Sequence, residues 1–169
     1  PGNNRRVGSV TVLYGSPGAG LRTTGAQFLS QDTVAVGQAR VGEQFGASIA
    51  VGDLDDDGVE DLAVGAPYDV VDGGTDQGAV AVFYGATTGV GRSARADVIL
   101  DQDDAAVPGV AEDGDAFGYA VGAGDVTGDA VDDLVVHSTP AEYRTKIQAY
   151  SDQGVTTSSF AFVPLHPPH

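Results

Sequence analysis

Residues 45–67 read FGASIAVGDLDDDGVEDLAVGAP, and the same order of features returns over residues 117–140 as FGYAVGAGDVTGDAVDDLVVHSTP. Phe45-Gly46 pairs with Phe117-Gly118, Gly52-Asp53 with Gly124-Asp125, Asp61-Leu62 with Asp133-Leu134, and Pro67 with Pro140. A second self-match links GSVTVLYG, from Gly8 to Gly15, with GAVAVFYG, from Gly78 to Gly85; TKIQAY, from Thr145 to Tyr150, is a poorer third copy. The period is about 70 residues, longer than most helical repeats and long enough for one four-stranded propeller blade.

Strand signals fill this frame. GSVTVLYG alternates residue by residue, placing Val10, Val12 and Tyr14 on one face, with Val80, Val82 and Tyr84 as their counterparts. Ser48–Val51 and Leu62–Val64 read as short buried strands on either side of an acidic loop. A further strand is predicted at Ala96–Leu100, loosely matched by Ala26–Ser30 and Ser159–Val163. With the strands of a unit lettered A to D, the chain runs C-D and then A-B-C-D twice. The fold class is therefore all-β, with about two and a half four-stranded antiparallel blades.

Composition agrees with short strands and tight turns. There are 25 Gly, no Cys, no Met and no Trp among 169 residues, and the apolar content is mostly Ala and Val. A net charge of −16, from 8 basic and 24 acidic residues, excludes a basic face for nucleic acid and simple adsorption to anionic lipid. No apolar stretch is long enough to span a bilayer as a helix. The first residues, Pro1 to Arg6, carry no apolar leader, and a mature extracellular chain would look the same.

The sharpest chemistry lies in Asp53-Leu-Asp55-Asp-Asp57-Gly58-Val59-Glu-Asp61. Oxygens are offered at positions 1, 3, 5 and 9, and position 7 adds a backbone carbonyl, a set suited to a hard cation such as Ca²⁺. Gly58 at position 6 is expected at a positive φ. Asp56 and Glu60 fall between ligand positions and are expected to face solvent. An EF-hand needs a bidentate Glu at position 12 and flanking helices, but position 12 is Val64 within a strand-like run. The second loop is Asp125-Val-Thr127-Gly-Asp129-Ala130-Val131-Asp-Asp133. There Thr127 replaces a carboxylate and Ala130 stands where glycine is expected, so its affinity is expected to be lower.

Phe45-Gly46, the Asp53–Asp61 loop and Gly65-Ala66-Pro67 together resemble one FG-GAP repeat, the blade unit of the integrin α-chain propeller. The resemblance runs from Phe45 to Gly85, is clear again from Phe117 to Leu134, and then drifts into Val136-His137-Ser138-Thr139-Pro140. It implies an integrin-α-like β-propeller with calcium on the loops of one face, in a secreted or cell-surface protein. The Ala-, Gly-, Val- and Asp-rich composition suggests a bacterial member. Carried over by position, the ligands are Asp53, Asp55, Asp57, Val59 and Asp61, then Asp125, Thr127, Asp129, Val131 and Asp133. The expected divisions are 1–44 for a C-D half blade, 45–116 for the first full blade, and 117–169 for a degenerate blade with a Pro-rich tail. Seven blades need more residues than these, so an excerpt of a longer protein is expected, its remaining blades supplied by the parent chain or by other copies.

The expected function is a calcium-stabilised module for extracellular adhesion or protein interaction, with an unknown protein or glycan ligand and no activity of its own. The alternatives are a non-catalytic appendage of a secreted hydrolase and a carbohydrate-binding propeller. Against an enzyme, His137 and Ser138 are strand neighbours and point to opposite faces, while His166 and His169 sit in the Pro-rich tail. Asp72, Asp76, Asp113 and Asp115 read as loop acids. Against a sugar site, there is no Trp, and only Tyr68, Tyr119 and Tyr143 are candidate platforms.

Overall fold

The computed structural model describes residues 7–33, 40–70 and 73–139, and the backbone of 159–163. Its strands are β1 (Val10–Ser16), β2 (Gly20–Leu29), β3 (Ser48–Gly52), β4 (Asp61–Ala66), β5 (Ala79–Phe83), β6 (Val98–Leu100), β7 (Ala120–Gly124), β8 (Asp133–Ser138) and β9 (Ser159–Val163). They form three sheets, ordered β1-β2, β3-β4-β5-β6 and β7-β8-β9, and every pairing is antiparallel. Among the described residues there is no α-helix, only a single 3-10 turn at Gln31–Thr33. This is the architecture of propeller blades.

The two inner strands of the central sheet, β4 and β5, are buried on both faces, because small residues let sheets stack closely. Val80, Val82 and Tyr84 share one core with Leu54, Leu100, Phe117, Leu134 and Val136. Ala81 and Phe83 point the other way, into a core with Leu29, Phe45, Leu62 and Val64. β5 is thus enclosed by the third sheet on one side and the first on the other. Each fully buried Val or Phe there contributes about 1.5–3 kcal/mol.

Two expectations need correction. Ser48–Val51 forms β3 but is only half buried: Ile49 and Val51 are 55% and 58% exposed. β7 lies against β3, and Ala50 packs on the shared core while Ile49 and Val51 face away from it. Their repeat counterparts Val121 and Ala123 do pack against that core, because the central sheet lies beside them. The described strands of the first sheet, β1 and β2, leave the outer face of β3 uncovered.

The second correction concerns Ser159–Val163, expected as a fourth, D-type strand. It pairs directly with β8, from Leu134↔Val163 to Ser138↔Ser159, which is the place β5 takes beside β4. It is therefore the third strand of its sheet. After Ser159, SFAFV carries four consecutive apolar residues, close to the run in AVAVF, whereas Thr145–Tyr150 includes Lys146 and Gln148. Thr145–Tyr150 itself lies outside the described residues.

Successive sheets are joined where one repeat meets the next. Gly8 bridges Phe45 and Gly78 bridges Phe117 in parallel fashion, and both phenylalanines are buried. The amide of Gly118 donates to the carbonyl of His137 at 3.1 Å, as that of Gly46 does to Gly65 at 3.0 Å. Ser48 Oγ donates to the Gly118 carbonyl at 2.7 Å, crossing from the second sheet to the third. A Cβ placed on Gly65 would lie 2.1 Å from that same carbonyl oxygen. Glycine at position 65 is what admits the next repeat.

At the ends of β3 and β4 away from the acidic loop, Gln31, Glu43 and Asp69 form a polar cluster, with Gln31 Nε2 donating to Asp69 Oδ2. Glu43 is 1% exposed. Burial pushes its carboxyl up to about 7, against the stabilising amide of Arg40 and with Asp69 adding repulsion. Asp69 is likewise raised, chiefly by burial.

Candidate metal centre

The β3–β4 hairpin closes at Gly52↔Asp61 and places the acidic loop beyond that pair. Leu54, only 1% exposed, anchors the loop in the core it shares with Phe117 and Leu134. The backbone then wraps around its own carboxylates. Asp53 accepts from the amides of Asp57 at 3.1 Å and Gly58 at 2.9 Å, and Asp57 accepts from Val59 at 2.8 Å. Asp61 closes the ring, accepting from Leu54 at 2.9 Å and from Gly85 at 2.7 Å. Gly58 has φ 81°, as expected for position 6, and Asp56 at φ 59° is a second left-handed residue. Asp56 and Glu60 are exposed, as expected.

These bonds gather three carboxylates. Oxygens of Asp53, Asp55 and Asp61 lie within 4.8 Å of one another. Asp57 stands outside that set, turned to cap the amide of Val59. Asp55 Oδ1 is buried and has no hydrogen-bond partner, while Arg95 Nη1 approaches its other oxygen at 3.7 Å. Asp55 is held above the usual carboxylate range by burial first and by Asp57 next, with Arg95 opposing. Asp61 is raised by burial too, opposed by the amides of Gly85 and Leu54. Ionised carboxylates so close in a partly buried loop repel one another, and a divalent cation reverses that cost. An orphaned buried oxygen on Asp55, whose carboxylate lies close to those of Asp53 and Asp61, fits a hard, oxygen-seeking cation.

The second loop, between β7 and β8, has nearly the same framework. Asp125 accepts from the amides of Asp129 at 3.1 Å and Ala130 at 2.9 Å, Asp129 from Val131 at 3.1 Å, and Asp133 from Val126 at 2.9 Å. Ala130 sits at φ 73°, the strained position expected for it, with Gly128 at φ 81°. Among the described residues no second set of three acids matches the spacing of the first. The physical reason is Thr127, which stands where Asp55 supplies the third carboxylate. Val126 is 53% exposed, where Leu54 is buried.

Two participants carry no signal in the repeat pattern. Arg95 lies 4.3 Å over the Tyr84 ring as well as beside Asp55. Asp132 reaches out of the second loop to the first, accepting from the Asp53 amide at 3.2 Å. Neither is separable by sequence from an ordinary surface charge. The other singled-out residues do not converge on a site. His137 is half buried and Ser138 buried on the alternate face, and the His137 ring lies 6.0 Å from that of Tyr119. Asp113 accepts from Thr75 at 2.8 Å and Asp115 from Glu112 at 3.1 Å, so both tie down loops. Asp72, Tyr143, His166 and His169 lie outside the described residues.

Residues 45–83 match the family model of the FG-GAP repeat. The chain is 33% identical over 141 residues to mouse integrin alpha-IIb, covering 82% of this chain and 12% of that protein. It is 36% identical over 107 residues to rat integrin alpha-7, covering 60% and 8%. It is also 37% identical over 95 residues to human phosphatidylinositol-glycan-specific phospholipase D, covering 56% and 10%. This is an FG-GAP-repeat protein, similar in sequence to integrin α chains. It spans about a tenth of the length of the relatives it matches, between 8% and 12% for these three.

Proposed function

We propose that the chain is a calcium-stabilised propeller module for extracellular adhesion or protein interaction, without activity of its own. The observation that carries this reading is the cluster of Asp53, Asp55 and Asp61, with its orphaned buried oxygen on Asp55. In this reading Asp53, Asp55, Asp57 and Asp61 with the Val59 carbonyl hold Ca²⁺. Asp125, Thr127, Asp129 and Asp133 with the Val131 carbonyl form a second, weaker site. The ion is structural: it ties strand β3 to β4, and β7 to β8, so that folding depends on metal. The similarity to integrin α chains supports an adhesive role at the cell surface or in secretion, with a protein or glycan as ligand.

The test is thermal melting with calcium and with chelator. Calcium at about 100 times its Kd stabilises by about 2.7 kcal/mol, so chelation lowers Tm by roughly 5–10 °C. A melt indifferent to chelator defeats the structural-calcium reading. The phospholipase D similarity favours a second reading, a non-catalytic appendage of a secreted hydrolase. Binding of the isolated chain to a cognate catalytic domain, with no adhesion to cell-surface ligands, would select it.

A further inference from the structure

We infer that Asp132 couples the two cation loops, so that filling one raises the affinity of the other. Asp132 belongs to the second loop but bonds to the first. Its amide donates to the Asp53 carbonyl at 3.1 Å, and its Oδ2 accepts from the Asp53 amide at 3.2 Å. Both polar groups of the Asp53 backbone are therefore held by one residue of the next repeat. Asp53 is the first candidate ligand of its loop, and Asp132 lies between Val131 and Asp133, two candidate ligands of the other.

The approach is built into the chain. A Cβ on Gly52 would lie 2.7 Å from Asp132 Oδ2 and 2.8 Å from the Ala123 Cβ, so the absence of a side chain at position 52 makes room for the bond. Glu60 holds the same place in the first loop and is exposed, so the two loops differ at this position for a reason of packing. A cation gripping Val131 and Asp133 would fix Asp132 between them, and with it the backbone of Asp53. The ordering cost of that backbone is then met before the first loop takes its ion, and coupling between sites is reciprocal.

The inference rests on the calcium reading of both loops, and one titration separates the two. Calcium chloride is titrated calorimetrically into the 169-residue chain, into Asp125→Asn/Asp129→Asn, and into both of these carrying Asp132→Ala or Asp132→Asn. The expected result is that disabling the second loop weakens the first about fivefold, near the lower end of usual coupling. With Asp132→Ala, which removes the carboxylate acceptor and leaves the backbone bond to the Asp53 carbonyl, that difference shrinks, and with Asp132→Asn it returns, because asparagine keeps the acceptor oxygen. A merely structural role would shift the melting temperature in both Asp132 variants without this selective rescue. The coupling is overturned if first-loop affinity ignores the state of the second loop, or if Asp132→Ala leaves the difference undiminished. If the unmodified chain takes up no calcium, the functional reading falls and the coupling with it.

Discussion

The second and third sheets are two copies of one repeat, built with the same hydrogen bonds and set in different surroundings. In both loops the first aspartate caps the amides at positions 5 and 6, and the last caps the amide at position 2. The backbone framework survives the substitutions. What differs is cover. Leu54 is buried where Val126 is 53% exposed, and Asp61 is 1% exposed with a second donor from Gly85. A repeat's loop hydrogen bonds are thus local, whereas its cover comes from residues distant in the chain: Gly85 and Arg95 over the carboxylates, and Phe117 and Leu134 of the next repeat in the core that holds Leu54. Where Gly65 lets the next repeat approach, the third sheet has His137, whose side chain would meet any repeat arriving in the same way.

The largest expected effect separates the loops by their dependence on metal. Asp55→Ala with Asp57→Ala should abolish most of the calcium-dependent rise in Tm, of the order of 2.7 kcal/mol at saturation. Asp125→Ala with Asp129→Ala should abolish the smaller part. Equal losses in paired melts would erase the proposed ranking of the two sites.

Next comes Gly65→His, which makes the second sheet resemble the third. A side chain there must displace the Gly118 carbonyl, 2.1 Å from the required Cβ. Overpacking of this kind costs about 1–3 kcal/mol. Denaturant unfolding should show that loss, while His137→Gly should have little effect by comparison.

A smaller, opposed pair tests the turn itself. Gly58→Ala puts a side chain at φ 81°, and Ala130→Gly removes one at φ 73°. The left-handed conformation costs an L-residue about 1–2 kcal/mol, so the first should destabilise and the second stabilise by roughly that amount. Chemical denaturation in chelator isolates this backbone effect from metal binding. Same-sign changes would contradict the shared geometry of the loops.

The smallest effect concerns the first repeat's buried Glu43, beside Gln31 and Asp69. Folded Glu43 keeps its proton up to about 7, whereas an exposed glutamate releases it near 4.5. Between those values the folded state binds more protons than the unfolded one, so stability falls as pH rises through about 7. Glu43→Gln should flatten that slope in thermal melts made in excess calcium, where the loop acids are held by the metal. An unchanged slope would place the titration elsewhere.

Much of the fold was legible because the repeat prints its own alignment. The strands at Val10–Ser16 and Ala79–Phe83 follow from alternation and bounding glycines, that at Asp61–Ala66 from the short apolar run Leu62–Val64, and Gly58 from a turn that needs positive φ. Ser159–Val163 was misplaced because an apolar pentapeptide shows that a strand forms but not which edge it joins. The exposure of Ile49 and Val51 was illegible for a similar reason, since β-branched residues mark a strand whether or not a second sheet covers it.

By itself, the sequence determined what is local: the hairpin around each acidic loop, the order of oxygens within it, and the glycine or alanine at its tightest turn. These depend on residues close together in the chain, where spacing is geometry. Only the tertiary structure decided which carboxylates lose water and which loops touch. Asp55 is crowded by burial beside Arg95, and Asp132 meets Asp53 across 79 residues of sequence. Desolvation and contact between repeats depend on how sheets stack, and no spacing within a single repeat encodes that.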